Sequence, residues 1–231
     1  MNLDKCLLFR KVYVKYLFGR RQAMINKIDS FAKMIFDYTL TAVGTVAISP
    51  LLFYIAYRIN KEDPGPIFFA HTRIGKDGKE FPCYKFRSMV VNSKEMLEKH
   101  LAENKEARAE WEREFKLKND PRITPIGQIL RKSSLDELPQ IFNVLRGEMS
   151  LVGPRPVVQE ELDKYYGIAV KEYCSVKPGI TGLWQVSGRS DVDYPERVAM
   201  DVEYVRTRNL WKDIVILYKT FDVVLNKKGA Y

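Results

Sequence analysis

The longest uncharged run in the chain is Tyr38–Tyr57, YTLTAVGTVAISPLLFYIAY, with Lys33 before it and Arg58 after it. A helix of that length reaches about 30 Å, roughly one bilayer hydrocarbon core. Ser49-Pro50 falls just past its centre. Proline removes a backbone donor and crowds the preceding turn, so a kink is expected there. Two readings stand: a simple spanning helix, and a helix turned back at Ser49-Pro50 to the face it entered. A cleaved signal peptide fits poorly, because a long stretch precedes the run and the run exceeds a usual signal core.

Upstream, residues 1–26 mix Leu7, Leu8, Phe9, Val12, Tyr13, Tyr16, Leu17 and Phe18 with Lys and Arg. An in-plane amphipathic helix and a flexible basic arm fit this pattern equally. Downstream, the periods shorten. Asp63-Pro64-Gly65-Pro66 is a turn, and the stretch from Ile67 to Met89 reads as two strands around Gly75–Gly78. Residues 92–118 form a charged helical excursion free of Gly and Pro. A new helical period begins at Ile123, a short strand is expected at Met149–Val152, and helices are expected at about 157–171 and 194–207. The stretch from Trp211 to Leu225 carries a broad apolar face, as a buried or an in-plane helix would. The fold class is α/β, a compact catalytic domain of mixed helices and short strands. The expected divisions are an arm at 1–26, a membrane helix at 27–60 and a catalytic body at 61–231.

Charge sharpens the picture. The 231 residues carry 38 Lys and Arg against 29 Asp and Glu, a formal +9. Residues 1–33 hold eight basic and two acidic side chains, so +6 of that +9 lies beside the apolar run. Basic residues there favour an anionic membrane face and a cytoplasmic N-terminus. They speak against nucleic acid, which would call for a basic groove laced with aromatics. Three scattered cysteines, Cys6, Cys83 and Cys174, and two histidines exclude a disulfide framework and a zinc site.

The densest polar cluster is Arg131-Lys132-Ser133-Ser134-Leu135-Asp136-Glu137. One reading is structural: Ser134 caps a helix and Glu137 closes a capping box. The other is chemical: adjacent carboxylates at a helix start border one cleft, one attacking phosphorus and one holding a divalent cation. Gly153-Pro154-Arg155-Pro156 fixes an arginine in a rigid loop, and Lys177–Arg189 is a second basic, glycine-rich loop. Neither matches a Walker A or a Rossmann fingerprint.

Three stretches carry a resemblance as a set: LRKSSLDELPQIFNVLRGEMSLVGPRP at 130–156, KPGITGLWQVSGR at 177–189 and FFAHTRIGKDGKEFPCYKFRSM at 68–89. Lys33, Phe36-Asp37 and Ser49-Pro50 add to it. Together, over about residues 27–231, the chain resembles the bacterial sugar transferases, the monotopic phosphoglycosyl transferases that act on polyprenyl phosphate. The long excursion resembles the hexose-1-phosphate type. The bundle of transmembrane helices that many of those carry at the N-terminus has no counterpart in this sequence, which is expected to be either a short form or a fragment.

The resemblance implies transfer of galactose or glucose 1-phosphate from a UDP-sugar to undecaprenyl phosphate with release of UMP. That step initiates a capsular, exopolysaccharide, lipopolysaccharide O-antigen or S-layer glycan. An N-acetylated sugar, or a catalytically silent scaffold, is the alternative. By resemblance, Asp136 is the nucleophile and forms a covalent phosphosugar. Glu137 is the catalytic partner that binds Mg2+, and Ser49 and Pro50 are the break of a re-entrant helix. Arg131, Arg155 and Arg189, with Lys85 and Arg87, are expected to handle phosphate or nucleotide. The implied location is the cytoplasmic leaflet of the bacterial inner membrane, amid its phospholipids, with the catalytic body facing the cytoplasm and a homodimer plausible. Nucleic acid is not an expected partner.

Overall fold

The computed structural model describes the backbone of residues 3–187 and 192–225, and side chains from residue 29 onward within those limits except those of 114, 224 and 225. The first element, α1, runs over Leu3–Glu62 and carries Pro50 inside it. The expected break at Ser49-Pro50 is not a break in helical structure. Proline leaves the Val46 carbonyl without its usual amide donor, and the Ser49 hydroxyl donates to that carbonyl at 2.8 Å. The Ser-Pro pair therefore supplies part of what the proline removes. The stretch Asp29–Glu62 is long and apolar enough to cross a membrane, and only 11% of its most apolar window is buried by protein. Val43, Val46, Phe53 and Tyr57 are all exposed, which is costly in water and natural in lipid.

Both ends of that stretch dock on the body. At one end the Lys33 ammonium meets Asp213 at 2.7 Å, and Ser150 donates to Asp37 at 2.7 Å. At the other, Glu62 accepts from the Ile126 amide at 2.9 Å and Arg87 pairs with Asp63 at 2.8 Å. Ile55 and Ile59 pack with Phe86, Ile126 and Leu130 in one of the apolar clusters.

The body begins with a hairpin, β1 (Phe68–Ile74) and β2 (Glu80–Phe86), closed by a turn at Lys76–Gly78. Its register places Phe69 opposite Lys85 and Arg73 opposite Phe81, so Arg73 and Lys85 share a face. The charged excursion is two helices, α2 (Ser93–Glu103) and α3 (Lys105–Glu114), divided at Asn104, whose side chain caps the second. Arg122 lies over the Trp111 ring at 5.0 Å and ties α3 back to the chain beyond it.

Next come α4 (Pro125–Ser133), capped by Thr124, and α5 (Gln140–Leu145). The fully buried Asn143 fastens α5 to the hairpin. It accepts from the Tyr84 amide at 3.0 Å and donates to the Pro82 carbonyl. Strand β3 (Ser150–Val152) pairs in parallel with β4 (Gly179–Thr181). A Cβ on Gly153 or Gly179 would overlap the other's backbone, so the two loops meet only because neither carries a side chain.

The helix expected at about 157–171 is instead a chain of short pieces. These are α6 (Gln159–Glu161), a π turn at Leu162–Tyr166, a 3-10 turn at Gly167–Ala169 and α7 (Val170–Tyr173). Gly167, at φ +46, breaks the regular period. After α8 (Leu183–Ser187) come α9 (Tyr194–Thr207), as expected, and α10 (Leu210–Leu225). The apolar face of α10 divides in two. Ile216 is buried beside Tyr204 and Val152, while Trp211, Tyr218 and Phe221 are exposed.

Candidate active site

Helix α4 ends at Ser134, whose left-handed backbone, φ +57, turns the chain sharply into a single 3-10 turn, Leu135–Glu137. The expected capping box does not form. Ser134 closes α4, donating its amide to Leu130 and Arg131 carbonyls, and its side chain caps nothing. The carboxylate pair therefore sits on a tight turn between α4 and α5, not at the start of a longer helix. The turn frees Glu137 from a capping role and directs it at the hairpin.

Lys85 on β2 receives both carboxylates. Its Nζ donates to Glu137 Oε1 at 2.7 Å and lies 3.8 Å from Asp136 Oδ2. The Asp136 side chain is 15% exposed and the Glu137 side chain 35%, so both reach a sheltered surface open to solvent. Their electrostatics diverge. Burial pushes Asp136 upward and the neighbouring Glu137 charge adds to this, while Lys85 and Arg131 oppose it. Burial would also raise Glu137, yet it lies below the usual range. Lys85 acts on it by charge and hydrogen bond, and Arg155 and Arg73 reinforce the effect. Cys83, on the same hairpin face, is inert by contrast: burial pushes its thiol up to about 11.

The other expected residues separate. Arg131 stands near the dyad and donates from Nε to Ser88 Oγ at 2.9 Å. Arg155 lies over the Trp184 ring at 5.3 Å, within electrostatic reach of Glu137. Arg87 is committed elsewhere: it pairs with Asp63 at the end of α1 and also donates to the Asp63 carbonyl. Arg189 lies outside the described residues. Ser49 and Pro50 lie in α1, apart from the dyad in sequence and element.

Two residues that the sequence reading passed over join the site. Arg73 acts on Glu137 and lies 3.9 Å from Glu161. The hairpin register carried that signal, because residues 71 and 73 share a face with 83 and 85. Arg197 covers the Trp184 ring at 4.0 Å, so two guanidiniums attend one indole. Both guanidiniums also act on the buried carboxyl of Asp201. No sequence motif marks Arg197, since α9 and the loop of Arg155 meet only in the fold. Two adjacent carboxylates with surrounding cations can attack an electron-poor phosphorus and neutralise the oxygens around it.

Comparison with known proteins gives this chemistry a family. The bacterial sugar transferase profile matches residues 28–227. The undecaprenyl-phosphate galactose phosphotransferase of Salmonella typhimurium is 56% identical over 90% of this chain and 43% of its own length. The UDP-galactose-lipid carrier transferase of Erwinia amylovora is 51% identical over 94% of this chain and 46% of its own length. The chain thus spans under half of either protein. The exopolysaccharide production protein ExoY of Rhizobium meliloti is matched almost end to end, 46% identical over 90% of this chain and 91% of its own length. The dyad turn, the hairpin lysine and the Arg155 loop all lie inside the matched region, and the chain belongs to the bacterial sugar transferase family.

Proposed function

We propose that this chain transfers a hexose 1-phosphate, galactose or glucose, from a UDP-sugar to undecaprenyl phosphate, releasing UMP. The observation that carries the proposal is the Asp136–Glu137 pair bridged by Lys85 in a half-buried site. Two of the relatives are named for galactose transfer to a lipid carrier, which favours galactose among the donors. Such a step initiates a surface glycan, and the name of the Rhizobium relative points to exopolysaccharide.

In the proposed chemistry an Asp136 oxygen attacks the sugar-bearing phosphorus of the donor. The bond from that phosphorus to the bridging oxygen breaks, and UMP leaves with the electron pair. The lipid phosphate then attacks the aspartyl phosphosugar, and the carboxylate of Asp136 is restored. Lys85, Arg131 and Arg155 reduce the repulsion between the attacking anion and the diphosphate. Arg73 and Arg197 extend that positive rim.

The dyad fits Mg2+, which takes one or two carboxylates and fills its shell with waters and substrate phosphates. Glu137 would hold it, with Asp136 beside it. When bound, the cation supplies charge neutralisation at the diphosphate. Lys85 meanwhile keeps Glu137 ionised and oriented.

The proposed setting is the cytoplasmic leaflet of the inner membrane, with α1 re-entrant and α10 at the interface. The docking of both ends of Asp29–Glu62 on one body supports this, as do the exposed Trp211, Tyr218 and Phe221. A homodimer within the leaflet is part of the proposal, to be read from the mass of the detergent-solubilised protein.

The test incubates purified protein with undecaprenyl phosphate, Mg2+ and a panel of UDP-sugars that includes N-acetylated ones, and measures UMP. Release from UDP-galactose or UDP-glucose is the expected result. Release from N-acetylated donors alone replaces the hexose, and no release from any donor removes the activity.

A further inference from the structure

A cavity of about 200 Å³ lies between α1 and the body, on residues the transfer reaction does not use. Its lining includes Lys33, Asp37 and Tyr38 of α1, Lys76 of the hairpin turn, Lys177 before β4 and Arg208 after α9. Neither dyad residue, nor Lys85, Arg131 or Arg155, belongs to it.

Lys33 is taken up by Asp213 at 2.7 Å and Asp37 at 3.5 Å. Among the described residues, Lys76, Lys177 and Arg208 have no carboxylate partner. Lys177 is partly buried, and that burial holds its ammonium below the usual range. Lys177 feels the Asp37 charge across the cavity without pairing with it, so its partly buried ammonium gains from an anion that reaches it. Gly147, at φ +78, makes the room: a Cβ there would stand 2.9 Å from the Tyr38 hydroxyl and 3.5 Å from Lys177 Nζ. One further group is unmatched. Ser150 satisfies Asp37 Oδ2, but Asp37 Oδ1 is buried without a hydrogen-bond partner. The cavity thus offers cations for a phosphate and one acceptor for a hydrogen-bond donor.

Its level in the molecule selects the ligand. Lys33 and Asp37 immediately precede the uncharged Tyr38–Tyr57 run. With that run in hydrocarbon, the cavity lies at headgroup depth. We propose that it binds the phosphodiester headgroup of a bilayer phospholipid, one bearing a hydroxyl or ammonium donor, at a site separate from the reacting centre. Lys76, Lys177 and Arg208 hold the phosphate, and Asp37 Oδ1 accepts from the headgroup donor. The bound lipid then joins α1, the hairpin turn and the approach to β4.

This inference rests on the interfacial placement proposed above, and its test is independent of it. The full chain in dodecyl maltoside micelles is titrated calorimetrically with dihexanoyl phosphatidylglycerol, dihexanoyl phosphatidylcholine or inorganic phosphate. Saturable binding that prefers phosphatidylglycerol is expected. Lys177→Gln, and the exposed pair Lys76→Gln with Arg208→Gln, should weaken it roughly fivefold per charge removed. The lipid-free melting temperatures of these variants check that they fold. Asp136→Asn should bind as the wild type does.

Equal affinity for inorganic phosphate assigns the site to a free anion and overturns the lipid reading. Equal affinity for phosphatidylcholine removes the role of Asp37. Unchanged binding in all the basic variants overturns the site. One-for-one displacement by undecaprenyl phosphate, with loss of binding in Asp136→Asn, makes the cavity part of the reacting centre and overturns its separateness. Failure of the UMP assay leaves these binding results standing, so the two readings fail separately.

Discussion

At the residue scale, one lysine treats the two carboxylates of the dyad unequally. Lys85 bonds Glu137 at 2.7 Å and stands 3.8 Å from Asp136. In the proposed chemistry Asp136→Asn removes the attacking anion, so turnover should fall by at least about 10³-fold. No phosphosugar adduct should be trapped when donor is supplied without lipid acceptor. An adduct persisting in that variant moves the nucleophile elsewhere. Lys85→Gln should cost about 10- to 100-fold in turnover by removing a preorganised cation, and Lys85→Arg should restore part of it.

Asp201, on α9, gives a prediction on stability at the same scale. Its carboxyl is buried, accepts from Tyr166 at 2.8 Å, and is pushed up to about 7 by burial, against which Tyr166 and the Arg155 amide act. The folded protein keeps a proton that the unfolded chain has already released. Stability from this group is therefore full below the ordinary aspartate range and is lost as pH rises toward about 7. Asp201→Asn should flatten that slope. Its stability relative to wild type should grow by about 1.4 kcal/mol per pH unit across the window, read from urea midpoints at a series of pH values.

At the element scale, close backbone approaches hold the site together. A Cβ on Gly127 would overlap the Ser88 carbonyl, so α4 lies directly on the chain leaving β2. The same contact lets Arg131 reach Ser88 Oγ. Gly127→Ala should destabilise by about 1–3 kcal/mol and lower turnover with it, since α4 must move and carry the dyad turn along. A wild-type melting temperature with wild-type turnover would show that α4 tolerates the shift.

Much of this arrangement was legible in the sequence. Local signals located the hairpin, β3, α9 and the carboxylate pair, because alternation, turn residues and caps are properties of neighbouring residues. What was hidden depended on distant contacts. The left-handed Ser134 turned a supposed capping box into a free dyad, for the choice between a cap and a C-terminal turn is made by α4 packing. The contact between Arg197 and Trp184 joins α9 to α8, and the pairing of Arg87 with Asp63 joins β2 to the end of α1. The segment 157–171 looked helical by composition, while its actual path follows the burial of Leu162, Tyr166 and Tyr173 in one cluster.

At the scale of the whole molecule, geometry constrains how α1 meets the membrane. A helix that crosses a bilayer delivers its two ends to opposite faces, about 30 Å apart across hydrocarbon. Here Lys33 and Asp37 at one end, and Glu62 and Asp63 at the other, all bond to the same body. A body rich in charge cannot stand in both aqueous phases at once, and polar contacts in hydrocarbon would carry a heavy desolvation cost. The re-entrant setting proposed above would insert the stretch around the exposed Val43, Val46 and Phe53 and keep all four contacts on one face. The proline with its serine-satisfied carbonyl gives a bend its natural position. Cysteines introduced as Asn26→Cys and Lys61→Cys, each with Cys6→Ser, should be labelled by a membrane-impermeant maleimide from the same side. That side should be the one exposed in inverted vesicles and closed in intact spheroplasts, given the basic residues before the run. Labelling from opposite sides would mean that α1 crosses, and that the docking of one end on the body gives way in the membrane.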